Sequence, residues 1–574
     1  MSSLSQRSSF PVQLSTRARV VVAAQPDRHT HPLRQLRRYL PGRQIEIVEG
    51  KELATALPTL GAERIDLLVL LTDSAAGLPA ELATSEEVKD LAEDAFLLRT
   101  GTLEGHPALL AAGGGLPGLI HAVNELGTHR LMQREDALEL PALDLRQSPA
   151  LPYRLLWTWD HSTNWYLEQV GLQEIGALNY YSKPEEGFLE DYRRLVDFMS
   201  LHRIGGVTIY GFLRDNHGGV EAAQDLCRYA AERGVRILPG VGINAYGGIY
   251  WEGEHRYNLT NWLRAHPELR AVFDKPVAFH IPDLPRLWFP EAHYTDAACP
   301  SKPENARYHE EAIHWLAETF EVGGINFETG DYGVCNCADC SARRGADETW
   351  SHKDMSLLYP RLFEAARRGR SGLWLVSEAY WDNILNLEAL APLADLPEDA
   401  IYQFCINRSY WPRVKENLTR EHGAPLPRPK NVMRTHMGTQ WNHERYELVG
   451  RRFAEMMQLM HTTGMQGGTI FAEVSAFSTV NEINYLAFAR FGYQAGLTWE
   501  RFVADDLGPL LGGPEAAERY LALLLVPSQA SALAQAAEEA REIARAQVDE
   551  AYRRWVWLQN RLHQKLAMLR QEDL

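Results

Sequence analysis

The sequence predicts an α/β protein built on a (β/α)8 barrel, with a small α/β domain before it and a helical region after it. Between residues 154 and 477, eight short apolar runs each end in polar or aromatic residues, and helix-period stretches separate them. Eight such units over about 320 residues match the count and size of a (β/α)8 barrel with insertions. We therefore expect an N-terminal α/β domain over 1–148, the barrel over 149–480 and helices over 481–574.

The N-terminal section alternates between predicted strands and helices. Its runs indicate two buried strands, then a hairpin, then a helix entered through glycines: "ARVVVAA", "IDLLVLLT", "FLLRTG" with "HPALLAAG", and "GLPGLIHAVNELGTHRL". The glycine-rich "AAGGGLPG" does not belong to a dinucleotide-binding unit, and no phosphate-binding loop motif is present. A stretch rich in proline and polar residues near residue 148 indicates the domain boundary.

The barrel strands are predicted from runs that lead into the polar residues of βα loops. In chain order they are "RLLWTWD", "GGVTIYGF", "RILPGVGI", "GGINFETGD", "GLWLVSEAY", "AIYQFCINR", "NVMRTHMG" and "GGTIFAEVSAF". The largest insertion, about 245–310, falls between the third and fourth strands. The intervening stretches carry apolar residues at helical spacing.

The C-terminal section is predicted to be helical, and it ends in one long charged helix from about residue 531 to 570. Trp555, Trp557 and Leu558 on this helix could pack on their own chain or on a second subunit. Packing within the chain is the default. A homodimer formed through the C-terminal helices is the alternative.

Composition narrows the class of protein. The 574 residues carry a net charge of −17, which argues against nucleic-acid binding because phosphates require basic surface. No run is long and apolar enough to predict a membrane span, and six cysteines are too few for a disulfide scaffold. The N-terminus has no secretory h-region, so we expect a cytoplasmic protein. We also expect no organic cofactor.

The fourth predicted strand ends in the main catalytic candidate, Glu328. The carboxyl ends of barrel strands carry the loops that build active sites, so a carboxylate at this position favours catalysis. Glu328 could instead be paired with an arginine. Asp331, on the loop beyond, could orient Glu328, bind a sugar hydroxyl or cap the next helix.

Other predicted strand ends carry similar residues. Glu378 and Glu473 follow the fifth and eighth strands and are further catalytic candidates. Glycoside hydrolysis uses two carboxyl groups, one to protonate the leaving oxygen and one as nucleophile or water base. The predicted substrate-binding residues at the other strand ends are Trp159, Asp160, His161, Arg408, Trp411, Arg434 and His436.

The loop after Glu328 contains a CxCxxC motif, formed by Cys335, Cys337 and Cys340. A structural zinc site needs four ligands, and Cys299 is the best fourth, ahead of Cys227 and Cys405. Three reduced cysteines without metal, or a labile disulfide, are the alternatives. Structural zinc is the favoured interpretation.

Several segments resemble bacterial α-glucuronidases and their relatives. "HPALLAAGGGLPGLIHAVNELG" is similar to the accessory domain that precedes the barrel in those enzymes and in β-hexosaminidases. "YRLLWTWDHSTNW" resembles the first α-glucuronidase barrel strand, and "NEINYLAFARFGYQAGLTWERF" the start of the C-terminal helical region. The cysteine motif instead resembles a related group of uncharacterised barrels and endo-hexosaminidases.

The resemblance implies an exo-acting glycoside hydrolase with Glu328 as general acid. The α-glucuronidase base carboxylates have no clean match, so Glu378 and Glu473 remain the candidates. We expect a terminal uronic acid held by Arg408 or Arg434, since a guanidinium group binds a carboxylate in bidentate fashion. The alternatives are a β-N-acetylhexosaminidase-like enzyme, in which Glu328 and Asp331 flank a substrate acetamido group that attacks, and a non-catalytic carbohydrate-binding protein.

Overall fold

The structure is a computed structural model. It describes residues 10–50, 64–159, 185–245, 247–273, 297–328, 335–345, 352–379, 396–406, 411–419, 430–437, 447–473 and 476–572. The chain divides into two compact units. The first comprises Met1–Pro152, Met199–Gly205 and Tyr229–Val235, and the second comprises the rest of the chain.

The first unit is an α/β domain with two sheets. Its strands are β1 (Val12–Ser15), β2 (Arg19–Ala24), β3 (Gln44–Glu49), β4 (Leu67–Thr72), β5 (Phe96–Leu103), β6 (His106–Gly113), β7 (Met132–Arg134), β8 (Ala137–Leu140) and β9 (Asp144–Gln147). The larger sheet has the order β3-β2-β4-β6-β5-β9, and β1-β8-β7 form a smaller one. The predicted hairpin is present, because β5 pairs with β6 in antiparallel register from Phe96↔Gly113 to Leu103↔His106.

The described helices of this unit include α1 (Thr30–Tyr39), α2 (Ser85–Lys89) and α3 (Leu116–Glu125), and a π-helical turn (Leu126–Arg130) follows α3. The glycine-rich stretch before α3 serves close packing. A Cβ atom on Gly118 would lie 2.2 Å from the carbonyl oxygen of Ala95. The glycine therefore lets the first turn of α3 approach the chain that leads into β5.

The second unit contains a closed barrel of eight parallel strands. They are β10 (Tyr153–Trp159), β11 (Gly206–Tyr210), β12 (Arg236–Gly242), β13 (Gly324–Glu328), β14 (Trp374–Ala379), β15 (Ile401–Ile406), β16 (Lys430–Thr435) and β17 (Gly467–Phe471). Each lies within or against one of the eight predicted runs, and β10 closes the barrel by pairing with β17. The predicted (β/α)8 barrel with its N-terminal sheet domain and C-terminal helices is confirmed.

The barrel interior changes from apolar to polar along the strands. Alternate residues of a strand face the same side, so every second residue of each barrel strand points inward. Near the strand starts, an apolar cluster fills the interior: Tyr153, Leu155, Leu238, Val376, Ile401 and Val432. One step further along, the inward positions carry Trp157, Asn326, Glu378, Gln403 and Arg434, so a polar layer lies over the apolar one.

The remaining described helices lie between the barrel strands and at the C-terminus, and most of their residues belong to the second unit. They are α4 (Glu185–His202), α5 (Gly219–Ala231), α6 (Leu259–Ala265), α7 (Pro303–Thr319), α8 (Ala338–Arg344), α9 (His352–Gly369), α10 (Trp411–Thr419), α11 (Gly450–Thr463), α12 (Asn481–Tyr493), α13 (Trp499–Phe502), α14 (Gly508–Leu511), α15 (Pro514–Leu524), α16 (Ala530–Arg545) and α17 (Asp549–Glu572). No helix within the described ranges is long and apolar enough to cross a membrane.

The long charged helix predicted for the C-terminus is two helices, α16 and α17, that pack against each other. Asp549, the first residue of α17, has a φ of 49°, in the left-handed region that a continuous α-helix does not enter. Aspartate visits this region more readily than most residues. The helical periodicity continues through this short break, so the sequence alone predicted a single helix.

The apolar residues of α17 are used within the chain. Trp555 and Leu558 are fully buried, and the Trp555 indole N–H donates to the carbonyl oxygen of Leu511 at 2.9 Å. Arg554 on the same helix pairs with Glu482 of α12 at 2.6 Å, with both side chains buried. The alternative of a homodimer through these helices has no support, because two of the three residues proposed for its interface, Trp555 and Leu558, are buried within the chain.

Replacing Trp555 by alanine should destabilise the second unit. The substitution removes a buried ring that packs edge-on against Tyr520 at 5.1 Å, and leaves the Leu511 carbonyl without its donor. We expect the free energy of unfolding, measured by urea titration, to fall by about 3–5 kcal/mol. Tyr552→Ala on the exposed side of the same helix is the control and should change it by less than about 0.5 kcal/mol. Equal effects of the two substitutions would contradict this packing.

Candidate active site

Glu328 is the last residue of β13, at the carboxyl end of the barrel. Its side chain is buried, and it shares the inward face of the strand with Asn326, two residues earlier. Phe327, between them, points to the other side, where its ring packs against Tyr359 and Phe363 of α9. The predicted catalytic carboxylate therefore lies inside the mouth of the barrel, while its neighbour anchors the strand to a helix.

Glu378 of β14 lies in the polar layer and is the most extensively bonded carboxylate described there. Its Oε1 atom pairs with Nη2 of Arg434 at 2.6 Å, and the two side chains are 0% and 1% exposed. Its Oε2 atom accepts from four donors on four other strands: Trp157 Nε1 (3.2 Å), the Tyr210 hydroxyl (3.3 Å), Asn326 Nδ2 (2.8 Å) and Gln403 Nε2 (3.2 Å).

These partners determine whether the carboxylate of Glu378 is accessible to a substrate. Removing two charges from water is costly, and the cost is offset only where the geometry is good and the remaining lone pairs are satisfied. Both oxygens of Glu378 have protein partners, so neither is open to a substrate in this arrangement. Glu378 therefore acts as a fixed negative charge beneath the site.

Tyr210 connects the two carboxylates. Its hydroxyl contacts Glu378, hydrogen-bonds with Glu328 and accepts from Asn326 Nδ2 at 3.0 Å. Burial, followed by the charges of Glu328 and Glu378, raises the pKa of Tyr210 well above its usual value, so the phenol keeps its proton. One phenolic proton thus lies between two carboxylates.

The ring of Tyr210 needs a glycine opposite it. A Cβ atom on Gly240, the neighbouring residue in β12, would lie 2.2 Å from the ring. The third barrel strand therefore contributes space at this level rather than a side chain.

Aromatic rings surround the carboxylates. Trp157 packs against Tyr210 (centroids 4.4 Å apart) and Phe471 (4.7 Å). Trp159, further along β10, contacts Trp251 edge-on at 5.2 Å and Tyr210 at 5.4 Å. These rings form a mostly apolar wall around Tyr210, the residue that hydrogen-bonds with Glu328, and aromatic surfaces of this kind suit the C–H faces of a sugar ring.

Two arginines lie against this wall. The Arg434 guanidinium lies 4.4 Å from the Trp157 ring, and the Arg214 guanidinium lies 5.3 Å from the Trp251 ring. Arg214 also pairs with Glu252 at 2.8 Å. The positive charges are therefore held by aromatic faces and carboxylates of the protein itself.

The other described candidates lie around the same mouth. His436 directly follows β16, with Nε2 3.5 Å from the Cys405 sulfur. Glu473 lies two residues past β17 and is buried, and its backbone N–H donates to the Tyr485 hydroxyl at 2.6 Å. Trp411 is the first residue of α10 and is partly buried. Their shared location agrees with the strand-end argument, and their roles stay predictions.

Four candidates lie outside the described residues: Asp160, His161, Asp331 and Arg408. Sequence reasoning also missed residues that the structure adds to the site, namely Trp157, Tyr210, Arg214, Trp251, Asn326 and Gln403. Strand alternation could have indicated Asn326 and Trp157, which lie two residues before Glu328 and Trp159 on the same inward faces. No sequence signal indicated Gln403 or Trp251.

The structure brings the four predicted metal-ligating cysteines together. Sulfur atoms of Cys299, Cys335, Cys337 and Cys340 all lie within 4.8 Å of one another. These four residues are called the cysteine cluster below. Cys227 lies in α5 and Cys405 in β15, and neither joins the cluster.

Removing Arg434 should expose the cost of the buried charge on Glu378. We expect Arg434→Met to lower the free energy of unfolding by about 3–5 kcal/mol, because Glu378 would stay buried without its cation. Adding Glu378→Gln to the same chain should recover part of the loss. The control, Arg367→Met, breaks the exposed pair with Asp399 and should cost at most about 1 kcal/mol. Similar losses in the two single variants, by urea titration, would refute the buried pair.

Acidification should destabilise the site through His436. Burial, and then the charge of Arg434, lower the pKa of His436 well below 6.5. Near pH 6 the unfolded chain therefore binds a proton that the folded chain does not. As a result, the free energy of unfolding falls as the pH drops below about 6.5, by up to about 1.4 kcal/mol per pH unit. His436→Gln should flatten this slope, and His461→Gln, at an exposed position, should not. An unchanged slope in His436→Gln would contradict the prediction.

Comparison with known proteins shows where this fold occurs. No protein-family model matches the sequence, and no curated protein does. Among solved structures, the chain is similar to a β-N-acetylhexosaminidase from Bacteroides fragilis, with 13% identity, a TM-score of 0.51 and coverage of 90% of this chain and 94% of that one. It is also similar to a chitobiase from Flavobacterium johnsoniae, with 13% identity, a TM-score of 0.51 and coverage of 94% of this chain and 74% of that one. A third similar structure is an exo β-N-acetylglucosaminidase from Vibrio harveyi, with 11% identity, a TM-score of 0.50 and coverage of 90% of this chain and 75% of that one. At this identity the likeness shows the fold.

Proposed function

We propose that this protein is a glycoside hydrolase that releases a terminal N-acetylhexosamine from an oligosaccharide. The observation that carries the proposal is the buried carboxylate of Glu328 at the carboxyl end of the fourth barrel strand, joined through Tyr210 to a second carboxylate. This end of a barrel is where active sites are built. The likeness to β-N-acetylhexosaminidases in fold supports the choice of reaction class.

In this proposal Glu328 is the general acid. The general acid donates a proton to the oxygen of the leaving group, so it must reach the substrate from the mouth of the barrel. Glu328 lies above the polar layer, whereas both oxygens of Glu378 are held by protein groups. Glu378 is then a positioning residue that acts through Tyr210 and through its charge.

The hexosaminidase alternative has better support than the uronic-acid preference, because the similar solved structures are β-N-acetylhexosaminidases. A site for a uronic acid would use a guanidinium group to bind the substrate carboxylate. Of the two predicted arginines, Arg434 is already engaged by Glu378 deep in the barrel, and Arg408 lies outside the described residues. A substrate-assisted hexosaminidase uses the substrate's own acetamido oxygen as nucleophile and so needs no nucleophilic carboxylate from the protein. The resemblance to α-glucuronidases likewise finds no support in the comparisons.

The wall of aromatic rings fits this substrate. Trp159 and Trp251 contact Tyr210, whose hydroxyl hydrogen-bonds with Glu328, and such ring surfaces suit the apolar face of a pyranose and the methyl group of an acetamide. Asp331 would flank the acetamido group, as in the sequence-based alternative. The expected cytoplasmic location stays a prediction.

Glu328→Gln is the decisive test of the acid. The amide keeps the shape of the side chain but has no proton to transfer, so kcat should fall by about 10²–10⁴-fold on substrates with poor leaving groups. Substrates with good leaving groups should be much less affected. Glu321→Gln, an exposed position just before the same strand, is the matched control. A Glu328→Gln enzyme with normal turnover of an oligosaccharide would show that the acid lies elsewhere.

A panel of aryl glycosides would decide the substrate class. We expect cleavage of N-acetyl-β-glucosaminides or N-acetyl-β-galactosaminides and none of glucuronides, measured as phenol release. Cleavage of glucuronides alone would restore the uronic-acid preference. If no glycoside is cleaved and Glu328→Gln still binds oligosaccharide with unchanged affinity, the chain is a non-catalytic carbohydrate-binding protein.

A further inference from the structure

We propose that the cysteine cluster binds one structural zinc ion. The four ligands come from two separate parts of the chain, Cys299 before α7 and the other three at the start of α8 and just before it. Three are buried and Cys337 is partly buried. The proposal stands on this geometry and does not depend on the proposed glycosidase activity.

The spacing of the sulfur atoms fits a tetrahedral metal site. Zinc–thiolate bonds of about 2.3 Å place tetrahedral sulfur ligands about 3.8 Å apart. The sulfur of Cys299 lies 3.6 Å from that of Cys335 and 3.7 Å from those of Cys337 and Cys340. A disulfide requires sulfur atoms about 2.05 Å apart, so none of these pairs is bonded.

The ligand set and its surroundings favour zinc in a structural role. Four thiolates complete a tetrahedral shell and leave no open position for water or substrate, as in structural zinc sites. The backbone N–H of Val272 donates to the sulfur of Cys335 at 3.3 Å, and Arg343 Nη2 donates to the sulfur of Cys340 at 3.4 Å. These donors would partly offset the negative charge of a zinc tetrathiolate and orient its ligands.

The site would join the insertions that follow two neighbouring barrel strands. Cys299 belongs to the long connection from β12 to β13, and Cys335 follows Glu328 by seven residues in the connection from β13 to β14. One backbone hydrogen bond already links the two connections, from the N–H of Asn336 to the carbonyl oxygen of Val272, and a second, from Ala298 to Asn244, lies within the first connection. A bound zinc would fix the chain beyond Glu328 to the chain beyond the third strand.

Metal analysis of the purified chain tests the proposal. Expression in zinc-supplemented medium and purification without chelator should give about one zinc per chain by inductively coupled plasma mass spectrometry. Cys335→Ser should lose at least about nine-tenths of this zinc, while Cys227→Ser, a buried cysteine outside the cluster, should retain it. Iron in place of zinc, no metal in the wild-type chain, or equal zinc in the two variants would overturn the proposal.

A second measurement avoids variants that fail to fold. Titrating the wild-type chain with a mercurial reagent in the presence of a zinc indicator should release one zinc as the cluster thiols react, and replacement by Co²⁺ should give the intense visible bands of a tetrahedral thiolate site. Removing zinc should lower the Tm, and adding it back should restore the Tm. Release of zinc without thiol modification would overturn the proposal. Inactivity towards every glycoside would refute the proposed function and leave these results unchanged.

Discussion

The buried ion pair between Glu378 and Arg434 is the interaction on which the barrel interior depends. It places two opposite charges 2.6 Å apart at the centre of eight strands, away from water. A pair of this kind persists only if its surroundings satisfy it. The inward residues of β10, β11, β13 and β15 do so by donating to the second oxygen of Glu378, and so this one carboxylate has partners on five other strands when Arg434 of β16 is included.

The same requirement distinguishes the surroundings of Glu378 from those of Glu328. Both oxygens of Glu378 are engaged by protein groups, whereas Glu328 lies at the inward position of β13 that follows Asn326, nearer the mouth. Tyr210 reaches both levels and is kept protonated by its burial and by the two nearby negative charges. A layer of charged and hydrogen-bonded side chains therefore lies directly beneath Glu328.

Much of this architecture could be predicted from the sequence, and the limits have physical reasons. All eight barrel strands were identified because buried parallel strands are continuous apolar runs. Cys299 could be grouped with the CxCxxC motif that begins 36 residues later, at Cys335, because a closed zinc site needs a fourth ligand. Their positions at strand ends indicate that Glu378 and Arg434 lie near the mouth of the barrel. They do not indicate that the two residues bind each other, because the pairing depends on how far along the barrel axis each residue lies. The break between α16 and α17 was missed because a single left-handed residue leaves the apolar periodicity intact.

The contact between Gly240 and the ring of Tyr210 has an evolutionary consequence. Since a methyl group at position 240 would overlap the ring, the effect of a substitution there depends on which residue occupies position 210. The two positions are therefore epistatic, and a lineage could enlarge one only after reducing the other. Any intermediate that loses the tyrosine also loses the group that joins Glu328 to Glu378. Few single-step paths can thus change the barrel interior around these two positions, and variation in specificity should accumulate in the loops instead.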